Sequence, residues 1–154
     1  MLKSIQQFFE RNISIQTHDP GQQEHALQLA TAALLREMTI ADSAISDAER
    51  KVVEENLQRV FTLTDDETRK LSELAEQEAE EATSLYQFTG IINREYTPAE
   101  KVLVVEMLWR VAFSDGRLDP NEEHLVRKLA GLLHVPHREF IQSKHRVEEE
   151  LSGG

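Results

Sequence analysis

The 154-residue sequence contains no cysteine, which excludes disulfide bonds and thiolate metal sites and fits a reducing compartment. It also lacks a long apolar run. The longest aliphatic run is Val102 to Val105, whereas a membrane-spanning helix needs about 20 apolar residues. The start of the chain has no basic region followed by an apolar core, as a secretion signal would. We therefore expect a cytoplasmic protein without a transmembrane segment.

Positive charge is scarce as well. Lysine and arginine number 17 against 28 aspartates and glutamates, and the formal net charge is -11. Nucleic acid is excluded as an expected partner, because phosphate-driven binding needs a basic face. The excess of acidic over basic residues favours cations or basic proteins as partners. With 40% hydrophobic residues, the chain is long enough to bury roughly 70% of its unfolded surface in one globular domain.

The hydrophobic pattern predicts three regions along the chain. Residues 1–21 are expected to form an amphipathic helix and a connecting loop, residues 22–151 a helical domain, and residues 152–154 a flexible tail. In the first region Leu2, Ile5, Phe8 and Phe9 share near-helical spacing. This helix either packs onto the domain or docks a membrane surface or partner protein, and both alternatives stay open.

Helix starts are marked by three capping boxes, at residues 46–49, 64–67 and 97–100. The helix after the third box is apolar nearly all round, so we expect it to be central. Its polar residues Glu106 and Arg110 stand four positions apart and are expected to pair with each other. The residues that we expect to be buried are Leu34, Met38, Val104, Leu108, Val111, Leu118 and Leu125.

Two stretches of the chain repeat one pattern. Residues 109–123 run from an apolar helix end through a loop to an acidic helix start, and residues 38–49 follow the same scheme 73 positions earlier. Duplicated units of this kind predict a pseudo-symmetric domain. The expected fold is an all-α, compact single-domain bundle of about seven helices with an internal pseudo-two-fold duplication.

Four acidic residues of these two loops are candidate metal ligands: Asp42 and Glu49 in the first, Asp115 and Glu122 in the second. Residues 115–122 coincide with the second half of an EF-hand loop, but the first half of that pattern is missing. One loop therefore offers too few oxygens for calcium, and the two loops would have to converge. In the alternative interpretation, the glutamates are only helix caps and the aspartates only shape the turns.

Other functional signals are weaker. Residues 65–82 hold eight acids against Arg69 and Lys70, which indicates a solvated helix face or a docking surface for a basic partner. His134 and His137 flank a proline and could hold zinc only with further ligands. No sequence motif of a catalytic metal or a cysteine nucleophile is present, so we expect a non-enzymatic protein.

Residues 84–88, 108–116 and 122–127 resemble the tellurite-resistance TerB-like family. Its signature of an acidic residue, a glycine, an aliphatic residue and a glutamate is similar to Asp115, Gly116, Leu118 and Glu122, whereas Ser43 replaces the glycine in the first loop. The resemblance implies a bacterial, all-helical, internally duplicated protein linked to metal or envelope stress, with an acidic metal-binding cluster. It implies no enzyme chemistry.

Two functions are consistent with these observations. In the first, the acidic loops bind a divalent cation and tune docking to another protein. In the second, the chain is a metal-independent scaffold whose acidic helix 65–82 or N-terminal helix docks a basic or membrane-associated partner.

Overall fold

A computed structural model describes residues 20–41, 46–61, 63–70, 84–114 and 120–152, and every regular element in these ranges is a helix. The helices are α1 (Pro20–Ala41), α2 (Asp47–Val60), α3 (Ser84–Glu95), α4 (Pro98–Ala112), α5 (Pro120–Leu132) and α6 (His137–Ser152). Residues 65–70 add a further helical stretch. The described chain thus holds seven helical segments, which confirms the all-α expectation. The predictions for the N-terminal helix at 2–11 and for Leu118 lie outside the described ranges.

The helix starts follow from local chemistry. At α4, Glu100 N donates to Thr97 Oγ1 at 3.2 Å and Thr97 N donates to Glu100 Oε1 at 2.7 Å, so this capping box is confirmed. The box at residues 64–67 is confirmed in the same way, with bonds of 3.1 and 2.9 Å. Helix α1 begins at Pro20, inside the stretch 12–21 that was expected to be loop. Proline suits the first helical position because no bond to its nitrogen is needed there.

Helix α4 is the centre of the bundle, as its apolar sequence predicts, and it packs against α1, α2, α5 and α6. No helix in the described part of the chain is long and apolar enough to cross a membrane. Leu103 nevertheless stays 40% exposed on α4, and Val52 is 37% exposed on α2. The predicted core positions that the structure describes are all buried: Leu34, Met38, Val104, Leu108, Val111 and Leu125.

Helix contacts also follow the predicted duplication. Helices α1 and α4 pack on each other, while α1 contacts α5 and α4 contacts α2. A two-fold rotation that exchanges the halves would exchange these last two contacts. Where α1 crosses α4, Thr31 Oγ1 lies 3.7 Å from Met107 Sδ. In the predicted repeat, with its offset of 73 positions, Thr31 corresponds to Val104 and Leu34 to Met107. The contacts among the described helices are thus those that the predicted duplication requires.

Two ion pairs join α4 to α6. Arg110 binds both carboxylate oxygens of Glu150, at 2.8 and 3.0 Å, and Arg146 Nε donates to Glu106 Oε2 at 2.8 Å. Both pairs span forty positions, so the two helices run parallel and in register. Glu106 and Arg110 were expected to pair with each other, but each of them binds a residue of α6 instead. The hydrogen bond to Glu150 also raises the pKa of Arg110, although burial opposes the shift.

The single tryptophan lies inside this α4–α6 contact. Trp109 is fully buried, and its ring centroid lies 5.0 Å from that of Phe140 and 5.9 Å from that of Phe113. Lys144 Nζ sits 5.6 Å from the centre of the same ring. Because no second tryptophan is present, its fluorescence reports on the packing of α4 against α6.

Candidate functional site

The two candidate glutamates occupy the same position in their helices. Glu49 is the third residue of α2, which starts at Asp47, and Glu122 is the third residue of α5, which starts at Pro120. The register agrees with the predicted offset of 73 positions. Asp42 and Asp115, the two candidate aspartates, lie outside the described residues.

Glu122 is buried, with 3% of its surface exposed. Its Oε1 accepts a hydrogen bond of 2.8 Å from Asn56 Nδ2, and Asn56 is only 2% exposed. Asn56 belongs to α2 and Glu122 to α5, so this bond joins the first half of the duplication to the second. An ionised carboxylate can be buried only with such polar support, because it loses its hydration.

Glu49 behaves differently. Its side chain is half-buried, Ser46 Oγ donates to Glu49 Oε1 at 2.9 Å, and Glu49 N donates to Ser46 Oγ at 3.1 Å. Ser46 therefore caps the start of α2, and the carboxylate of Glu49 accepts a hydrogen bond from the cap hydroxyl. Within the described ranges, no group of three or more histidine, cysteine, aspartate or glutamate side chains could hold a metal ion.

Helix α2 contacts the chain on both sides of the second acidic loop. Asn56 binds Glu122 just after the loop, and Arg59 Nη1 donates to Ser114 O, at 3.5 Å, just before it. Sequence reasoning missed both residues. Asn56 could have been found, because it falls on the helix face of Val53 and Leu57 and so interrupts an apolar stripe with a polar side chain.

The histidine pair shapes a helix end. His134 has a φ of 57°, its N–H bonds Gly131 O at 3.1 Å, and Val135 N bonds Ala130 O at 3.0 Å. These two bonds form a Schellman motif with His134 at the left-handed position where glycine is usual. The His137 ring lies 5.8 Å from that of Phe140. Both histidines are exposed.

Only the first two turns of the acidic stretch 65–82 are described. Arg69 and Lys70 both pair with Asp66, and the hydrogen bond from Arg69 is the main reason that the pKa of Asp66 is lowered. Burial acts to raise the pKa of Glu67, but hydrogen bonds from Thr64 and His25 outweigh it and leave that pKa lowered. Both basic residues of the stretch therefore contact Asp66.

A cavity of about 580 Å³ opens between the N-terminal ends of α4 and α6. Val102 and Val135 form part of its wall, and Lys101 and Glu139 contribute the charged side chains. Neither Glu49 nor Glu122 is among its described lining residues. The cavity and the buried Asn56–Glu122 pair are therefore separate features.

A comparison with models of known protein families gave a match. The model of the family described as tellurite resistance protein TerB matches residues 28–145, which is more than half of the chain and includes α2, α4 and α5 in full. A search of curated proteins found no match. A search of solved structures also found none.

Proposed function

We propose that this chain, which belongs to the tellurite resistance protein TerB family, is a non-enzymatic binding module whose acidic interhelical loops take a divalent cation. In this proposal Glu122 and Asp115 provide the main carboxylates, Asp42 and Glu49 complete the set when the loops converge, and ion binding tunes docking to another protein. The cytoplasmic location expected from the sequence remains a prediction.

The buried state of Glu122 is the observation that carries this proposal. A glutamate that only caps a helix folds back onto the helix start, as Glu67 and Glu100 do, and both of these are half-buried. Glu122 has the same helical position but is 3% exposed and reaches across to α2. Capping does not require this burial, whereas a ligand in a closed site does.

Charge balance explains why a cation would be favourable there. A carboxylate loses its hydration when it is buried, which costs several kcal/mol. Asp115 stands seven positions before Glu122, and carboxylates near one another repel. A divalent cation bound by oxygen ligands would offset both costs. The absence of cysteine favours a hard ion such as calcium, magnesium or manganese over a thiolate-bound one.

The test is thermal unfolding in chelator and in millimolar calcium, magnesium, manganese or zinc. A free ion at a hundred times its dissociation constant stabilises the folded state by about 2.7 kcal/mol, which raises the melting temperature by several degrees. Glu122→Gln keeps an oxygen for Asn56 but removes the charge, and it should abolish the ion-dependent shift. Glu100→Gln is the matched control, since Glu100 is a capping-box glutamate, and it should keep the shift.

If the wild-type protein shows no shift with any of these ions, the cation proposal is wrong. A lower melting temperature of Glu122→Gln in chelator does not count, because the loss of buried charge changes stability by itself.

The second candidate function is metal-independent docking through the acidic helix 65–82. It is favoured by the charge of the stretch, which holds eight acids against Arg69 and Lys70. A basic partner surface would complement this excess of negative charge. Retention of a partner from native extract in the presence of chelator, and its loss when Glu76, Glu78 and Glu80 become glutamine, would support this function.

A further inference from the structure

We infer that the cavity between the starts of α4 and α6 is a docking site for an arginine side chain of a basic partner protein, and that Glu139 binds its guanidinium group. This site is independent of the cation proposed for the acidic loops. The first half of the duplication shows which contacts the second half has lost at this place.

Glu67 and Glu139 hold equivalent positions in the two halves. Glu67 is the third residue of the helical stretch 65–70, and Glu139 is the third residue of α6, which begins at His137. These helix starts are 72 positions apart, one fewer than the offset of the loops, because α5 is one residue shorter than α2. The offset of 73 relates His25 to Pro98. His25 contacts Glu67, and Pro98 lines the same cavity as Glu139, so both halves bring these two positions together.

Both carboxylate oxygens of Glu67 have a hydrogen-bond donor. Thr64 N donates to Oε1 at 2.9 Å, and Nε2 of His25 is hydrogen-bonded to Oε2. In the second half, the corresponding positions 136 and 98 are both proline. Proline has neither a backbone N–H nor a polar side chain. Glu139, which is half-buried at the wall of the cavity, therefore lacks both donors that its counterpart has.

The cavity has room for a long side chain with a charged end. Its volume is about 580 Å³, within the roughly 300–1,000 Å³ of ligand pockets. Val102, Val135 and the two prolines give it an apolar wall, and the hydrocarbon stem of a basic side chain packs well on such a surface. Lys101 also lines the cavity, but its Nζ donates to Asn93 Oδ1 at 3.3 Å and is held by α3. Glu139 is thus the acid that a cationic side chain would meet there.

Arginine supplies what the two prolines have removed. Its guanidinium group presents two parallel N–H donors, which can bond both oxygens of one carboxylate. A lysine ammonium is a point charge without this fork, so it fits the carboxylate less well. The net charge of -11 adds a long-range attraction for a basic partner.

The test is a nuclear magnetic resonance titration, in chelator, with N-acetyl-arginine amide, which copies an arginine within a chain. The backbone amide signals of Val102 and Val135 should shift. N-acetyl-citrulline amide has a similar shape without the charge and should bind about fivefold more weakly or worse. Glu139→Gln should weaken arginine binding by a similar factor. Glu149→Gln is the matched control, since Glu149 is an exposed acid of the same helix, and its affinity should stay within about twofold.

A second pair of variants tests whether the lost contacts form the site. Pro98→His introduces the residue of the first half, which should bond Glu139 and weaken arginine binding by about fivefold or more, although the charge of Glu139 is kept. Pro98→Ala supplies no side-chain donor, so its affinity should stay within about twofold of wild type. Far-ultraviolet circular dichroism and Trp109 emission show that each variant is folded.

Three results would overturn the inference. The first is the absence of any shift at Val102 and Val135. The second is an equal loss of affinity in Glu139→Gln and Glu149→Gln, which would show a nonspecific effect of charge. The third is tighter binding of free arginine than of the capped residue, which would assign the cavity to a small molecule. Each of them leaves the cation proposal as it stands, because the chelator removes the ion from the experiment.

Discussion

Replacing His134 by glycine should stabilise the protein. His134 has a φ of 57°, and the left-handed conformation costs a residue with a Cβ atom roughly 1–2 kcal/mol. Glycine avoids that cost but loses about 0.5–1 kcal/mol through the greater freedom of its unfolded chain. The side chain is exposed, so little packing is lost. The net expected gain is about 0.5–1 kcal/mol.

At about 2–4 °C per kcal/mol for a domain of this size, the melting temperature should rise by about 1–4 °C. Unfolding by heat and by urea, followed through Trp109 fluorescence, measures the change. His145→Gly is the control, because His145 is an exposed residue inside α6, and glycine in a helix interior should lower stability by a few tenths to about 1 kcal/mol.

A loss of stability in His134→Gly would refute this reasoning. It would mean that the imidazole makes a favourable contact worth more than the backbone strain, and His134 does line the cavity at the start of α4 and α6. Melting of the wild type and the variant with and without zinc then distinguishes a packing contact from metal binding. Only if His134 binds the metal would the stability difference between the two proteins depend on zinc.

Three further outcomes are expected. Leu108→Ala should cost about 2–5 kcal/mol in urea unfolding because Leu108 is buried in the core, whereas Leu103→Ala should cost far less because Leu103 is 40% exposed. Thr97→Ala should cost about 1 kcal/mol in the same assay, because it removes the cap of α4. The hydrogen bond from Arg110 lowers the pKa of Glu150 from its usual 4.5, so this pair stabilises the fold above that pH and is lost as the pH falls through the lowered value. Glu150→Gln should therefore lower stability at pH 7 by about 0.2–1 kcal/mol, because the pair is partly exposed, and this difference should disappear in acid titration.

Local chemistry accounts for most of what the sequence predicted correctly. The capping boxes of α4 and of residues 64–67 depend on neighbours three positions apart, and both form as expected. The central place of α4 follows from its apolar sequence, since an all-round apolar helix has to be covered. The duplication follows from repeated spacing. None of these inferences needs knowledge of which helices meet.

The predictions that failed or fell short depended on partners far along the chain. Glu106 and Arg110 suit an i, i+4 pair, but α6 brings better partners to both. The hydrogen bond from Asn56 of α2 to Glu122 was also not predicted. The sequence contained the polar residue on an apolar face but could not show which carboxylate it would meet. Asp42 and Asp115 remain predicted ligands.

The contact of α1 with α4 limits how the fold can be divided. Residues 98–152 alone would expose the face of α4 that α1 and α2 cover, and an uncovered apolar face of this kind is not stable in water. A half-molecule should therefore associate with a second copy of itself through the same crossing, as a symmetric dimer with one self-complementary interface. In the full chain, α1 covers this face of α4 within one polypeptide. Joining frees the two halves to diverge, so that one can keep Leu129 where the other has Asn56, which supports the buried carboxylate of Glu122.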